Sequence, residues 1–213
     1  MPNVYAEWIQ ENGVSYRRKT LLQFGDSIEL IGSAVLMNPG KASPNNENFD
    51  FNIVKTFYEK IHNEKIEEET LWRRFDTDDA MRQLAKIFNG GYINEINNLN
   101  GIIQLFNCFY YRNQNAAEAR EQFARNPQYL FNESSFFLDK PVYFGWGDEG
   151  KNGIYADIAR EIYYQYNLEY TPIYNPDFDM NEFYHPRRIN FIHNDDENVR
   201  SLLNDFYNLV FQE

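Results

Sequence analysis

Residues 4–9 and 16–24 read as two strands, and Glu11-Asn12-Gly13 between them is a turn signal, so the chain is predicted to open with an antiparallel pair. Residues 28–37 form a further strand whose apolar run Val35-Leu36-Met37 stops abruptly at Asn38-Pro39-Gly40. A short continuous apolar run bounded by Pro and Gly fits a strand covered on both faces. Residues 45–52 are polar and turn-rich, and residues 53–61 have helical spacing through Ile53, Phe57 and Ile61. Residues 67–75 are predicted as a short helix with Glu69 one turn from Arg73. A longer helix, capped by Asp76 or Thr77, runs to Phe88 and ends at Gly90-Gly91, with Met81, Leu84, Ala85 and Phe88 on one face.

Residues 102–110 and 142–146 are predicted as the second and third buried strands, and residues 170–174 as a fourth. Helices are predicted over 115–125, 153–166 and 198–211, the last with Leu202, Leu203, Phe206, Leu209 and Val210 as its apolar side. Strands that alternate with helices imply a sheet covered on both faces. The expected fold is one α/β domain over residues 1–213, a three-layer α/β/α sandwich with a short, mainly parallel central sheet.

Composition narrows the function classes. With 43% hydrophobic and 17% aromatic residues the chain is expected to fold, and 213 residues suffice for a substantial core. The net charge of −12 disfavours loose binding to nucleic acid, which depends on neutralising phosphates. A single cysteine, Cys108, excludes an internal disulfide and suits a reducing compartment. No apolar stretch approaches a membrane span and the first residues lack a signal pattern, so the expected location is cytoplasmic.

Candidate chemistry gathers at the predicted strand ends, where open α/β sheets bind ligands. Asn38 sits on a turn made rigid by Pro39 and Gly40; its alternative role is a turn residue bonding its own backbone. Arg112, just past the second buried strand, is placed to hold phosphate or carboxylate, or to make a structural ion pair. Arg187-Arg188 beside His185 is a phosphate contact or a solvated pair. Period-two spacing places Arg17 and Lys19 together on one solvent-facing strand face. Gly40-Lys41-Ala42-Ser43 lacks the first glycine and the magnesium-holding hydroxyl of a phosphate loop. His185, His193, Asp195 and Asp196 match no standard metal spacing, and the acidic pair is expected to cap the last helix. Cys108, within an apolar strand, reads as a buried small residue rather than a nucleophile.

Five elements recur in order: Asn38-Pro39-Gly40 after a strand, Asp78-Asp79 at a helix start, Asn107-Cys108-Phe109-Tyr110-Tyr111-Arg112, Phe144-Gly145-Trp146-Gly147, and Tyr184-His185-Pro186. Across residues 17–189 the series resembles an uncharacterised, mainly bacterial domain-of-unknown-function family, number 1643, departing from it at Ala80, Cys108 and Arg187-Arg188. More remotely, Met37-Asn38-Pro39-Gly40, Trp146-Gly147 and His185-Pro186-Arg187 are similar to motifs of the uracil-DNA glycosylase superfamily, although the Ser that follows His-Pro there is missing. That resemblance implies a glycosylase-like sandwich in which Asn38 orients a water and His185 hydrogen-bonds a departing base. The candidate substrate-binding residues are Pro39, Gly40, Asn107, Arg112, Trp146, Gly147, Tyr184 and Arg187, and a base taken out of its stack needs aromatic walls, for which Tyr184, Trp146 and Phe49 are the candidates.

The implied reaction is hydrolysis of an N-glycosidic bond in a nucleotide or a short single strand. An amide positions water and a donor stabilises charge on the leaving base, with no metal or organic cofactor required. Two other readings stand beside it: a non-catalytic nucleotide- or nucleic-acid-binding module, and an interaction protein whose acidic surface docks a basic partner or mimics nucleic acid.

Overall fold

The computed structural model describes residues 1–45, 47–113, 115–125, 130–151 and 153–211. Strands β1 (Asn3–Glu11) and β2 (Val14–Phe24) form the expected hairpin. Asn12 and Gly13 turn it with φ of 52° and 78°, the left-handed pair whose twist matches the flanking strands. Four more strands complete one sheet: β3 (Leu30–Leu36), β4 (Trp72–Phe75), β5 (Gly101–Asn107) and β6 (Val142–Phe144). Their order is β4-β1-β2-β5-β3-β6. Only β3 pairs in parallel, with β5 and β6, whereas β1–β2, β1–β4 and β2–β5 are antiparallel. The sheet is therefore mixed rather than mainly parallel, because the opening hairpin is built into it and brings β4 to its far side.

Helices cover both faces: α1 (Asn52–Ile61), α2 (Asp79–Phe88), α3 (Ala116–Arg125), α4 (Gly153–Gln165), α5 (Pro186–Ile192) and α6 (Glu197–Phe211). Alternation along the strands sorts the core. Val4, Leu22, Ala34, Ile103 and Leu105 pack with Leu84 of α2, Ile189 of α5 and Phe206 of α6. The opposite face holds two groups. Tyr5, Leu21 and Ile102 meet Phe57 and Tyr58 of α1, while Val35 and Phe106 join an aromatic cluster with Phe123 of α3 and Tyr163 of α4. No helix among the described residues is long and apolar enough to cross a membrane.

Three predicted elements are corrected. Residues 67–75 are a single 3-10 turn, Glu69–Leu71, followed by edge strand β4, and the Arg73 guanidinium donates to the carbonyls of Thr70 and Trp72. Pairing with β1 outweighs the helical spacing there. Residues 170–174 are not a strand; they offer side-chain oxygens to the outer edge of β6. The Val142 amide donates to Thr171 Oγ1 and the Phe144 amide to the Tyr174 hydroxyl, each at 3.0 Å. Helix α5, which periodicity misses, starts at Pro186 with His185 as its cap.

The largest departure lies in β2. Tyr5 faces Leu21 and Glu7 faces Arg18, so Ala6 is opposed by two residues, Lys19 and Thr20. This is a β-bulge with Lys19 at φ 46°, and a bulge re-aims the side chains that flank it. Lys19 points to the α1 side, 2.7 Å from Glu64 and over the Tyr58 ring. Arg17 instead points to the α2 side, 1% exposed, with its guanidinium over Phe75. Arg17 and Lys19 share neither a face nor a place in solvent.

Candidate functional site

Because β3, β5 and β6 run in parallel, their carboxyl ends share one rim, and the start of antiparallel β2 arrives beside them. The amide of Arg17 donates to the Tyr110 carbonyl just past β5. After β3 the chain turns through Asn38, whose Nδ2 donates to the Pro39 carbonyl at 3.1 Å, the turn bond expected of a strand-ending asparagine. Arg112 fixes the following loop, donating through Nε to Ala42 at 3.3 Å and through Nη2 to the Lys41 carbonyl. Its role here is to hold the Gly40 loop against the rim.

Helix α2 begins at the same rim. Asp78, not Asp76 or Thr77, is its cap, accepting from the Met81 amide through Oδ1 at 3.0 Å. Its other oxygen lies 3.9 Å from Arg17 Nη1. A Cβ on Gly40 would approach that carboxylate to 3.0 Å, so the absence of a side chain at Gly40 lets loop and cap close together. Asp79 pairs with Arg187 at 3.1 Å and with Arg82 at 3.4 Å, joining α2 to α5.

His185 completes the rim from the far end of the chain. Its Nδ1 accepts from the Arg187 amide at 3.2 Å, and Pro186 supplies the fixed φ favoured at a first helical position. Burial, reinforced by the Arg187 charge, holds its pKa below the ordinary histidine value. The imidazole is thus neutral, and with Nδ1 accepting it carries its proton on Nε2.

These parts enclose a cleft of about 440 Å³ whose lining includes Arg17, Leu36, Asn38, Asp78, His185 and Arg187. A second hollow of about 290 Å³ is lined by Asn38 and His185 again, with Trp146, Gly147 and Arg188. Asn38 and His185 therefore stand between two cavities and face both. Gly40, Lys41, Asp79 and Arg82 also line the larger one.

The remaining expected residues fall into place unevenly. Trp146 borders the smaller hollow but is 1% exposed, held among Phe144, Phe178 and Phe183. Gly147 follows at φ 71°, a turn that a side chain would strain. Asn107 ends β5 with both amide atoms buried and without a hydrogen-bond partner. Pro39 is buried under the turn. Tyr184 lines neither cavity; its ring lies under Arg188 and its carbonyl accepts from Tyr143. Phe49 packs on Tyr5 at 5.1 Å on the α1 side of the sheet, away from the cleft, so it is no wall of it. Arg188 pairs with Asp148.

Arg17, Asp78, Asp79 and Arg82 were not among the expected binding residues. Asp78-Asp79 carried a detectable signal as a helix start, whereas Arg17 depends on a bulge formed at a lysine. Asp196 caps α6 as expected, accepting from the Asn198 and Val199 amides. Among the described residues, no group of three or more His, Cys, Asp and Glu side chains is placed to hold a metal ion. Comparison with protein-family models, curated proteins and solved structures finds no match to this chain.

Proposed function

We propose that the cleft binds a nucleobase or nucleotide and hydrolyses its N-glycosidic bond. The observation that carries this reading is the meeting of Asn38 and His185, from opposite parts of the chain, on the shared wall of two cavities. One cavity is large enough for a small ligand, and the shared wall is where a bond lying between base and sugar would sit. The likeness of Asn38-Pro39-Gly40 and His185-Pro186 to glycosylase motifs supports the same assignment.

The chemistry follows from what each group has left to offer. The turn bond takes one Nδ2 hydrogen of Asn38 and fixes the amide, leaving Oδ1 to accept from a water and aim it at the anomeric carbon. Capping commits His185 Nδ1 to the Arg187 amide, so Nε2–H is the donor for negative charge developing on the leaving base. As the water oxygen bonds to the anomeric carbon, the carbon–nitrogen bond to the base breaks. The proton lost by the water passes to the departing base anion, while the neutral imidazole donates a hydrogen bond and keeps its own proton.

The test is base release. Wild type, Asn38→Ala and His185→Ala are incubated with free nucleotides and with single- and double-stranded oligonucleotides carrying normal, deaminated and modified bases. Release by wild type that each substitution lowers by about 10²–10³-fold is the expected result. Release unaffected by either substitution, or none from any substrate by folded protein, overturns the proposal.

A further inference from the structure

We infer that the floor of the larger cleft is an anion subsite built on Arg17, and that it takes the terminal phosphate of a small ligand. Arg17 lines the cavity yet is 1% exposed, and its Nε and Nη1 have no hydrogen-bond partner. A buried guanidinium left with unmet hydrogens is costly to keep. Its nearest carboxylate does not meet that need. Asp78 stands 3.9 Å away, beyond hydrogen-bond reach, and gives Oδ1 to the Met81 amide.

The surroundings favour a negative ligand. The cleft lining carries Arg17, Lys41, Arg82 and Arg187 against Asp78 and Asp79, a local excess of positive charge in a chain of net charge −12. Asp79 is already engaged by Arg82, Arg187 and Gln83. The amino end of α2, a helix of 10 residues, opens onto the same cavity at Asp79 and Ala80 and adds its dipole. Arg17 itself sits on a strand whose backbone is held by the hydrogen bond that its N–H donates to the Tyr110 carbonyl, and its guanidinium lies over the Phe75 ring.

Burial also selects the form of the anion. A group so enclosed is reached only by something that enters the cleft end-on and displaces the contacts now covering Nε and Nη1. An internal phosphodiester, whose chain continues in both directions, cannot bring its oxygens to the floor; a monoester at the end of a molecule can. Taken with the hydrolase reading, on which this step rests, the substrate is a nucleoside monophosphate with Arg17 holding the phosphate while Asn38 and His185 flank the glycosidic bond.

The experiment is titration calorimetry of ribose 5-phosphate, ribose and inorganic phosphate at matched ionic strength, against wild type, Arg17→Met, Arg17→Lys and Arg187→Ala. The expected result is binding of ribose 5-phosphate and phosphate but not ribose, weakened by about ten- to a hundredfold in Arg17→Met. Arg17→Lys, which keeps the charge and loses the fork, falls between. Arg187→Ala, which removes one of the four cations lining the cleft but leaves the Arg17 fork in place, weakens binding less than Arg17→Met does. Circular dichroism of each variant confirms the fold. Equal binding of ribose and ribose 5-phosphate, or affinity unchanged in folded Arg17→Met, overturns the subsite. A protein that releases no base yet binds ribose 5-phosphate through Arg17 keeps the subsite and loses the hydrolase. Base release that ignores Arg17→Met keeps the hydrolase and loses the subsite.

Discussion

Replacing Asp78 separates two jobs that one carboxylate performs. Asp78→Asn keeps a side-chain oxygen able to cap α2, since Asn and Asp cap about equally well, but removes the charge facing Arg17. At 3.9 Å and an effective dielectric near 20, the attraction between the pair is about 4 kcal/mol. Water in the cleft screens part of it, so Asp78→Asn is expected to lose about 2–3 kcal/mol of stability. Asp78→Ala loses the cap as well, a further ~1 kcal/mol. Arg17→Met relieves the desolvated guanidinium but leaves the buried Asp78 carboxylate without its counter-ion, a net loss of about 1 kcal/mol. In the double variant Arg17→Met/Asp78→Asn the charge penalty disappears, giving a coupling of about 2 kcal/mol. The assay is urea unfolding of all five proteins in phosphate-free buffer, with midpoints compared at constant m. The predicted order is wild type, Arg17→Met, Asp78→Asn, Asp78→Ala, from most to least stable. A coupling below about 0.5 kcal/mol, or Asp78→Asn as stable as wild type, would refute the picture of a buried guanidinium that depends on Asp78.

Other consequences are equally direct. His62 packs on Phe136 at 4.4 Å, and burial lowers its pKa to about 4. A pKa depressed in the folded state gives stability that is present above about pH 6.5 and lost as pH falls toward 4. The loss, discounted for the solvent that still reaches the ring, is about 2 kcal/mol, and His62→Phe should flatten the corresponding stability–pH slope; an unchanged slope speaks against it. Gly40→Ala places a methyl 3.0 Å from an Asp78 oxygen, so ribose 5-phosphate binding should weaken while the unfolding free energy falls by about 1 kcal/mol at most; calorimetry and urea titration distinguish this from a general loss of stability. Cys108 is fully buried and burial pushes its thiol pKa up. An aromatic disulfide reagent should label it at least about a hundredfold faster in urea than in native protein, and rapid native labelling contradicts the assigned packing.

Much of the frame was legible because local chemistry and tertiary packing agree there. Asn12-Gly13 is a hairpin turn by residue type alone, and the apolar faces of α2 and α6 repeat at helical spacing. Asn38 and His185 could be found from a strand that stops at Pro-Gly and from a His-Pro pair. That same pair, a capping side chain followed by proline at the first helical position, was also the missed signal for α5. Elsewhere long-range pairing decided. Trp72-Arg-Arg-Phe75 follows an acidic stretch with helical spacing, yet an open edge on β1 takes it as a strand. Thr171 and Tyr174 have strand-forming side chains, but those side chains cap β6 in place of a backbone ladder. Arg17 was the least visible of all. Its direction is set by Lys19 at positive φ, a conformation that glycine or asparagine would announce and lysine does not.

The order in which the cleft is assembled has its own consequence. Arg17 belongs to a local hairpin near the start of the chain, whereas His185 arrives on a helix near its end, after every strand of the sheet. Contacts between such distant positions form only after the intervening chain has been ordered. No partly folded or C-terminally shortened form can therefore present both walls of the cleft. A ligand held between them stabilises the finished fold alone, by an amount that grows with the logarithm of its concentration, and so acts as a selective brake on unfolding rather than as a guide to folding.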